Sequence, residues 1–81
     1  MYIGKTIPIG EEFKFFVDYR KTIDNSSDFI YTGTIKIRNK KDNRKWLDYD
    51  KFRVLASNLD ELKNKIKSLL IRKYKVSSSR F

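Results

Sequence analysis

The stretch Phe29-Ile30-Tyr31-Thr32-Gly33-Thr34-Ile35-Lys36-Ile37-Arg38-Asn39-Lys40 decides the fold. Its large apolar residues Phe29, Tyr31, Ile35 and Ile37 occupy odd positions, while Thr32, Thr34, Lys36, Arg38 and Lys40 occupy even ones. Successive side chains of an extended chain point to opposite faces, so the alternation reads as a strand with one face toward a core and one toward water. Gly33 falls mid-strand on the apolar face, where a missing side chain marks a bulge or leaves room for an aromatic neighbour such as Tyr19.

Upstream, Phe13, Phe15, Val17 and Tyr19 alternate with Lys14, Phe16, Asp18 and Arg20, which predicts a partner strand. Between the two strands, Asp24-Asn25-Ser26-Ser27-Asp28 supplies short polar side chains that bond to nearby backbone and close a hairpin. Downstream, Lys41-Asp42-Asn43-Arg44 reads as a second turn, followed by a third strand through Trp46-Leu47-Asp48-Tyr49-Asp50 and Phe52-Arg53-Val54-Leu55-Ala56. Placing Leu47 and Tyr49 on the side of Ile35 and Ile37 requires an odd number of loop residues. Either such register sets Lys36 against Asp48 or Asp50 and turns Trp46 outward beside Arg38 or Lys40. The apolar parity then switches at Phe52, Val54 and Ala56, which places a bulge near Asp50-Lys51.

Ser57 with Asp60, or Asn58 with Glu61, has the spacing of a helix-capping pair, and a helix is expected from about Leu59 to Tyr74. Leu59, Leu62, Ile66, Leu69 and Leu70 form its apolar stripe, acids fill its first turn and bases its last. The expected fold class is α+β: a three-stranded antiparallel meander packed on one C-terminal α-helix, with Tyr2 to Ile9 available as a fourth, edge strand carrying Pro8. Residues 1–76 read as a single small basic domain and 77–81 as a flexible tail. This strand order is shared in outline with small DNA-binding sheets that place three strands in a groove, and with many unrelated small domains.

Charge narrows the function. Of 81 residues, 19 are Lys or Arg and 10 are Asp or Glu, a net charge of +9. Residues 1–30 carry four bases and five acids, so the whole excess lies in residues 31–81. Such asymmetry makes a one-sided field that attracts phosphate or an acidic protein surface. With no Cys and no His, the chain has no thiolate zinc site, disulfide, Cys–His pair or histidine acid/base. Asp48 and Asp50, with Asp60 or Glu61, are the only carboxylate grouping that suggests a divalent metal, and neighbouring Lys36, Lys51 and Arg53 favour ion pairs there instead. No catalytic residue, metal or cofactor is assigned. The N-terminus lacks the apolar block of a signal peptide, so a soluble cytoplasmic protein without membrane attachment is expected.

Two functions from different classes fit. The first is a non-enzymatic nucleic-acid-binding module. Its even sheet face gathers Lys14, Phe16, Arg20, Lys36, Arg38, Lys40 and Trp46, and its hairpin tip adds Lys41, Arg44 and Lys45. Cations neutralise phosphates while exposed rings stack on unpaired bases. The opposing reading of that face is an ordinary solvated surface with Phe16 and Trp46 covered by Ile7 and Ile9. The helix cations Lys63, Lys65, Lys67, Arg72, Lys73 and Lys75 read chiefly as a solvated face. The second function is a small mobile-element, phage-like inhibitor or adaptor that blocks a nucleic-acid-handling complex, anchored by Trp46, Tyr49, Phe52 and Tyr74. Homodimerisation through a sheet edge or the outer aromatics is a further arrangement this sequence permits.

Overall fold

The computed structural model describes residues 1–81, apart from the side chain of residue 80. The alternating segments become β2 (Phe13–Thr22), β3 (Phe29–Arg38) and β4 (Trp46–Ala56), and the N-terminal segment adds β1 (Tyr2–Ile9). The four strands form one antiparallel sheet in the order β1-β2-β3-β4, followed by helix α1 (Leu59–Tyr74). The α+β meander on a C-terminal helix is therefore the fold, with β1 as the fourth strand. No helix among the described residues is long and apolar enough to cross a membrane.

Only one face of the sheet is covered. Ile9, Phe13, Phe15, Val17, Tyr31, Ile35, Phe52 and Ala56 point to the side of α1 and are buried with Leu62, Ile66 and Leu70 of its apolar stripe. Ile7 pairs with Phe15 and Ile9 with Phe13, so both share this inner face and neither covers Phe16 or Trp46. Past α1 a 3-10 turn spans Ser78–Arg80. The ring of Phe81 follows that turn and lies edge-on to Phe13 at 6.2 Å.

Bulges adjust the register. In β4, Ile35 faces Asp50 and Lys36 faces Asp48, leaving Tyr49 as the extra residue, just before the expected Asp50-Lys51. In β2, Val17 faces Gly33 and Tyr19 faces Thr32, so Asp18 is extra. A single added residue reverses which face the following side chains take. Tyr19 consequently moves to the outer face, and the neighbour that fills the space over Gly33 is Phe52, not Tyr19. A Cβ at Gly33 would lie 1.9 Å from the Phe16 carbonyl oxygen and 2.8 Å from the Phe52 ring.

Of the two capping pairs, Asn58 with Glu61 is used: the Asn58 side chain accepts from the Glu61 N–H at 2.8 Å. The Glu61 carboxylate in turn accepts from the Ser57 N–H at 3.2 Å and from the Ser57 hydroxyl, and pairs with Lys65 at 3.1 Å. These donors, Ser57 foremost and Lys65 next, hold the Glu61 carboxyl at about 2, against an ordinary 4.5. Lys65 also donates to the Leu55 carbonyl of edge strand β4 at 2.6 Å, and the Lys51 N–H of that strand donates to the Asp50 side chain at 2.8 Å. On the opposite edge, β1 carries Pro8 and a left-handed Gly4 (φ 62°) at its bulge.

Two expectations follow. Gly33→Ala overfills the junction between β2, β3 and β4 and is expected to cost about 1–3 kcal/mol in urea unfolding followed by Trp46 fluorescence; an unchanged midpoint would show that the strands separate there freely. Because the folded state lowers the Glu61 pKa, its contribution is complete above about 4.5 and is lost as pH falls toward 2. The difference in Tm between the wild type and Glu61→Gln should therefore be larger at pH 6 than at about pH 2, and a pH-independent difference would contradict this.

Candidate nucleic-acid interface

The face turned away from α1 is organised in cross-strand rows. From the β3–β4 loop inward these are Arg38–Trp46; Pro8–Lys14–Lys36–Asp48; Thr6–Phe16–Thr34–Lys51; Tyr2–Tyr19–Thr32–Arg53; and Lys21–Ile30–Leu55. Of the residues expected on this surface, Lys14, Phe16, Lys36, Arg38 and Trp46 are brought together there. Lys14 Nζ lies 4.1 Å from the centroid of the Trp46 ring and the Arg38 guanidinium carbon 4.6 Å from it, so one indole joins cations from two other strands. The odd-length loop selects Arg38 as the Trp46 neighbour and Asp48 as the Lys36 partner, at 2.7 Å.

Arg38 is not a free cation. Its Nε donates to the Glu11 carbonyl at 2.8 Å and its Nη1 to the Asn43 carbonyl at 2.7 Å, tying the β1–β2 turn to the β3–β4 loop. The planar fork of guanidinium donors meets two acceptors that no single ammonium reaches in the same geometry.

The loop itself is built by short polar side chains. Asn39 Oδ1 accepts from the Lys41 N–H at 2.9 Å and Asp42 Oδ1 from the Arg44 N–H at 3.1 Å, while the Asn39 N–H donates to the Lys45 carbonyl at 3.0 Å. Lys40, Lys41, Arg44 and Lys45 project from it exposed, and among the described residues only Arg44 of these is in an ion pair, at 3.5 Å to Asp42.

Arg20 is displaced from the expected surface. The Asp18 bulge sets it opposite Tyr31 on the inner side, where its guanidinium lies 4.2 Å from the Phe29 ring centroid and donates to Met1 Sδ at 3.2 Å. The anchor set Trp46, Tyr49, Phe52 and Tyr74 does not form one surface. Phe52 is core at 6% exposure and packs on Phe15; Tyr49 and Tyr74 meet at 4.9 Å on the helix side; and Trp46 lies on the outer face. The carboxylates also part company. The Tyr49 bulge leaves Asp48 outside with Lys36 and turns Asp50 toward α1, where it meets Lys73 at 3.6 Å. No group of three potential metal ligands occurs among the described residues.

The register adds four surface residues that the alternation pattern does not assign to the interface: Tyr19, Lys21, Lys51 and Arg53. For Lys51 and Arg53 a signal existed, because the parity switch at Phe52 turns odd positions of β4 outward. For Tyr19 the only trace was Gly33, the partner at which β2 departs from regular pairing.

Replacing Arg38 with Ala or Lys should loosen the loop while leaving the sheet paired. The expected loss is about 2 kcal/mol, from hydrogen bonds made by a charged donor, read by urea unfolding, with faster amide exchange confined to residues 39–45 and the facing turn at 10–12. Wild-type exchange in that loop would show that Arg38 does not hold it. The chain matches no protein-family model, no curated protein and no solved structure.

Proposed function

We propose that this chain is a non-enzymatic nucleic-acid-binding module that works through the outer face of its sheet and the β3–β4 loop. The observation that supports this reading is the charge of the face α1 leaves open. Lys14, Lys21, Lys36, Arg38, Lys51 and Arg53 lie there against two carboxylates, Asp18 and Asp48; Lys36 is paired with Asp48 and Arg38 is held by two backbone carbonyls, which leaves Lys14, Lys21, Lys51 and Arg53 as the cations outside those bonds. Rings stand among the cations: Phe16, Tyr19 and Trp46. Phosphate neutralisation releases counterions and supplies affinity, and ring stacking adds an attraction that a uniformly charged surface lacks. Lys40, Lys41, Arg44 and Lys45 extend the same field beyond the end of the sheet. In this reading Trp46 is held by Lys14 until a base takes the ring, which frees the ammonium for phosphate.

The inhibitor or adaptor reading has no comparable support, since its four anchors are divided among two faces and the core. The test is a titration with short single-stranded and duplex DNA and RNA, followed by Trp46 fluorescence and ligand anisotropy at low and near-physiological salt. Binding should persist at about 150 mM salt, perturb Trp46, and show a log–log salt slope of several units. Replacing Lys40, Lys41 and Lys45 together by Ala should reduce that slope by about 0.7–0.9 for each phosphate no longer neutralised. Binding seen only at low salt, with Trp46 silent, would leave nonspecific attraction alone and overturn the proposal.

A further inference from the structure

Resting on that reading, we infer that the ligand is a single, unpaired nucleic-acid strand lying along β3, with its bases toward β2 and its phosphates toward β4. The register makes a shallow channel of the open face. Its floor is Thr32 and Thr34, short side chains on the central strand. One wall is aromatic: Phe16 stands opposite Thr34 and Tyr19 opposite Thr32, with Tyr19 56% exposed and continued onto β1 by Tyr2 at 5.6 Å. The other wall is cationic, with Lys51 opposite Thr34 and Arg53 opposite Thr32, both exposed and neither in an ion pair among the described residues.

Neighbouring strands lie about 4.8 Å apart, so the walls on β2 and β4 are separated by about 10 Å, and Lys51 and Arg53 by about 6.8 Å along their strand. Two parallel walls of different chemistry suit a ligand that carries ring faces along one side and charge along the other. An unpaired strand is such a ligand. In a duplex the ring faces are stacked on one another inside and phosphates border both sides of each groove, so the aromatic wall has nothing to receive. Asp18 fixes the orientation. Its carboxylate accepts from the Thr32 hydroxyl and from the Tyr19 N–H, both at 2.6 Å, on the aromatic side of the channel. A phosphate is repelled there, whereas an exocyclic amino group of a base finds an acceptor.

The experiment compares a labelled oligodeoxycytidylate of about a dozen residues, whose bases carry an exocyclic amino group, with a duplex of equal length and with polyglutamate, at near-physiological salt. Wild type is measured beside Tyr19→Ala, Phe16→Leu and the double variant Lys51→Ala/Arg53→Ala, each first shown to keep a cooperative thermal transition. Single-strand affinity should exceed duplex affinity by about tenfold or more, and Tyr19→Ala should weaken it about tenfold with little change in salt slope. Phe16→Leu keeps apolar bulk and should weaken it in the same sense. The double variant should lower the slope by about 1.4, from two single-strand phosphates at about 0.7 each. Duplex binding as tight as single-strand binding, or single-strand binding indifferent to Tyr19 and Phe16, overturns the channel and leaves the nucleic-acid reading standing. Polyglutamate binding as tight as the oligonucleotide, or no nucleic-acid binding at this salt, overturns both.

Discussion

A sheet has two faces, and this chain carries one helix with which to cover them. That constraint governs everything else in the molecule. Leu62, Ile66 and Leu70 of α1 close over Phe13, Phe15, Val17, Tyr31 and Ile35, and among the described residues no second layer covers the other face. The opposite face has to be stable in water. It achieves this with threonines, an exposed ion pair between Lys36 and Asp48, and an indole whose ring is set against ammonium and guanidinium. An exposed antiparallel face of this kind is ordinary; what sets this one apart is that its six cations, Lys14, Lys21, Lys36, Arg38, Lys51 and Arg53, face, among the described residues, only the carboxylates of Asp18 and Asp48.

The architecture was legible in the sequence because period two and period 3.6 are both plain here, and the strand from Phe29 to Arg38 fixes the parity of its neighbours. The parity switch in β4 was legible too, because Phe52, Val54 and Ala56 break step with Leu47. The switch in β2 was hidden. Past Asp18 the chain offers Tyr19 and then Arg20, the residue types an unbroken alternation would place inside and outside, and the bulge exchanges them. A tyrosine is at ease in either environment, so pattern alone could not decide.

Arg38 shows a different limit. Its type and its outward position were both readable, and they suggested a role in binding a ligand. What assigns it to the fold is a pair of backbone carbonyls, of Glu11 and Asn43, that turns remote in sequence bring within reach of one guanidinium. Residue identity cannot tell a cation spent on the fold from one left for a partner. By contrast, the parity switch at Phe52 already turns Lys51 and Arg53 outward in sequence, and what the register adds is their pairing with Thr34 and Thr32.

The blunted margins of the sheet bear on how the protein behaves in quantity. In β4 a lysine from the helix occupies the Leu55 carbonyl and Asp50 occupies the Lys51 amide, while β1 is interrupted by a left-handed glycine and a proline. A neighbouring chain that tried to extend either strand would meet ladder positions already taken or missing. Strand addition between copies is therefore disfavoured at both margins, so the sheet resists growing from molecule to molecule into continuous β-structure.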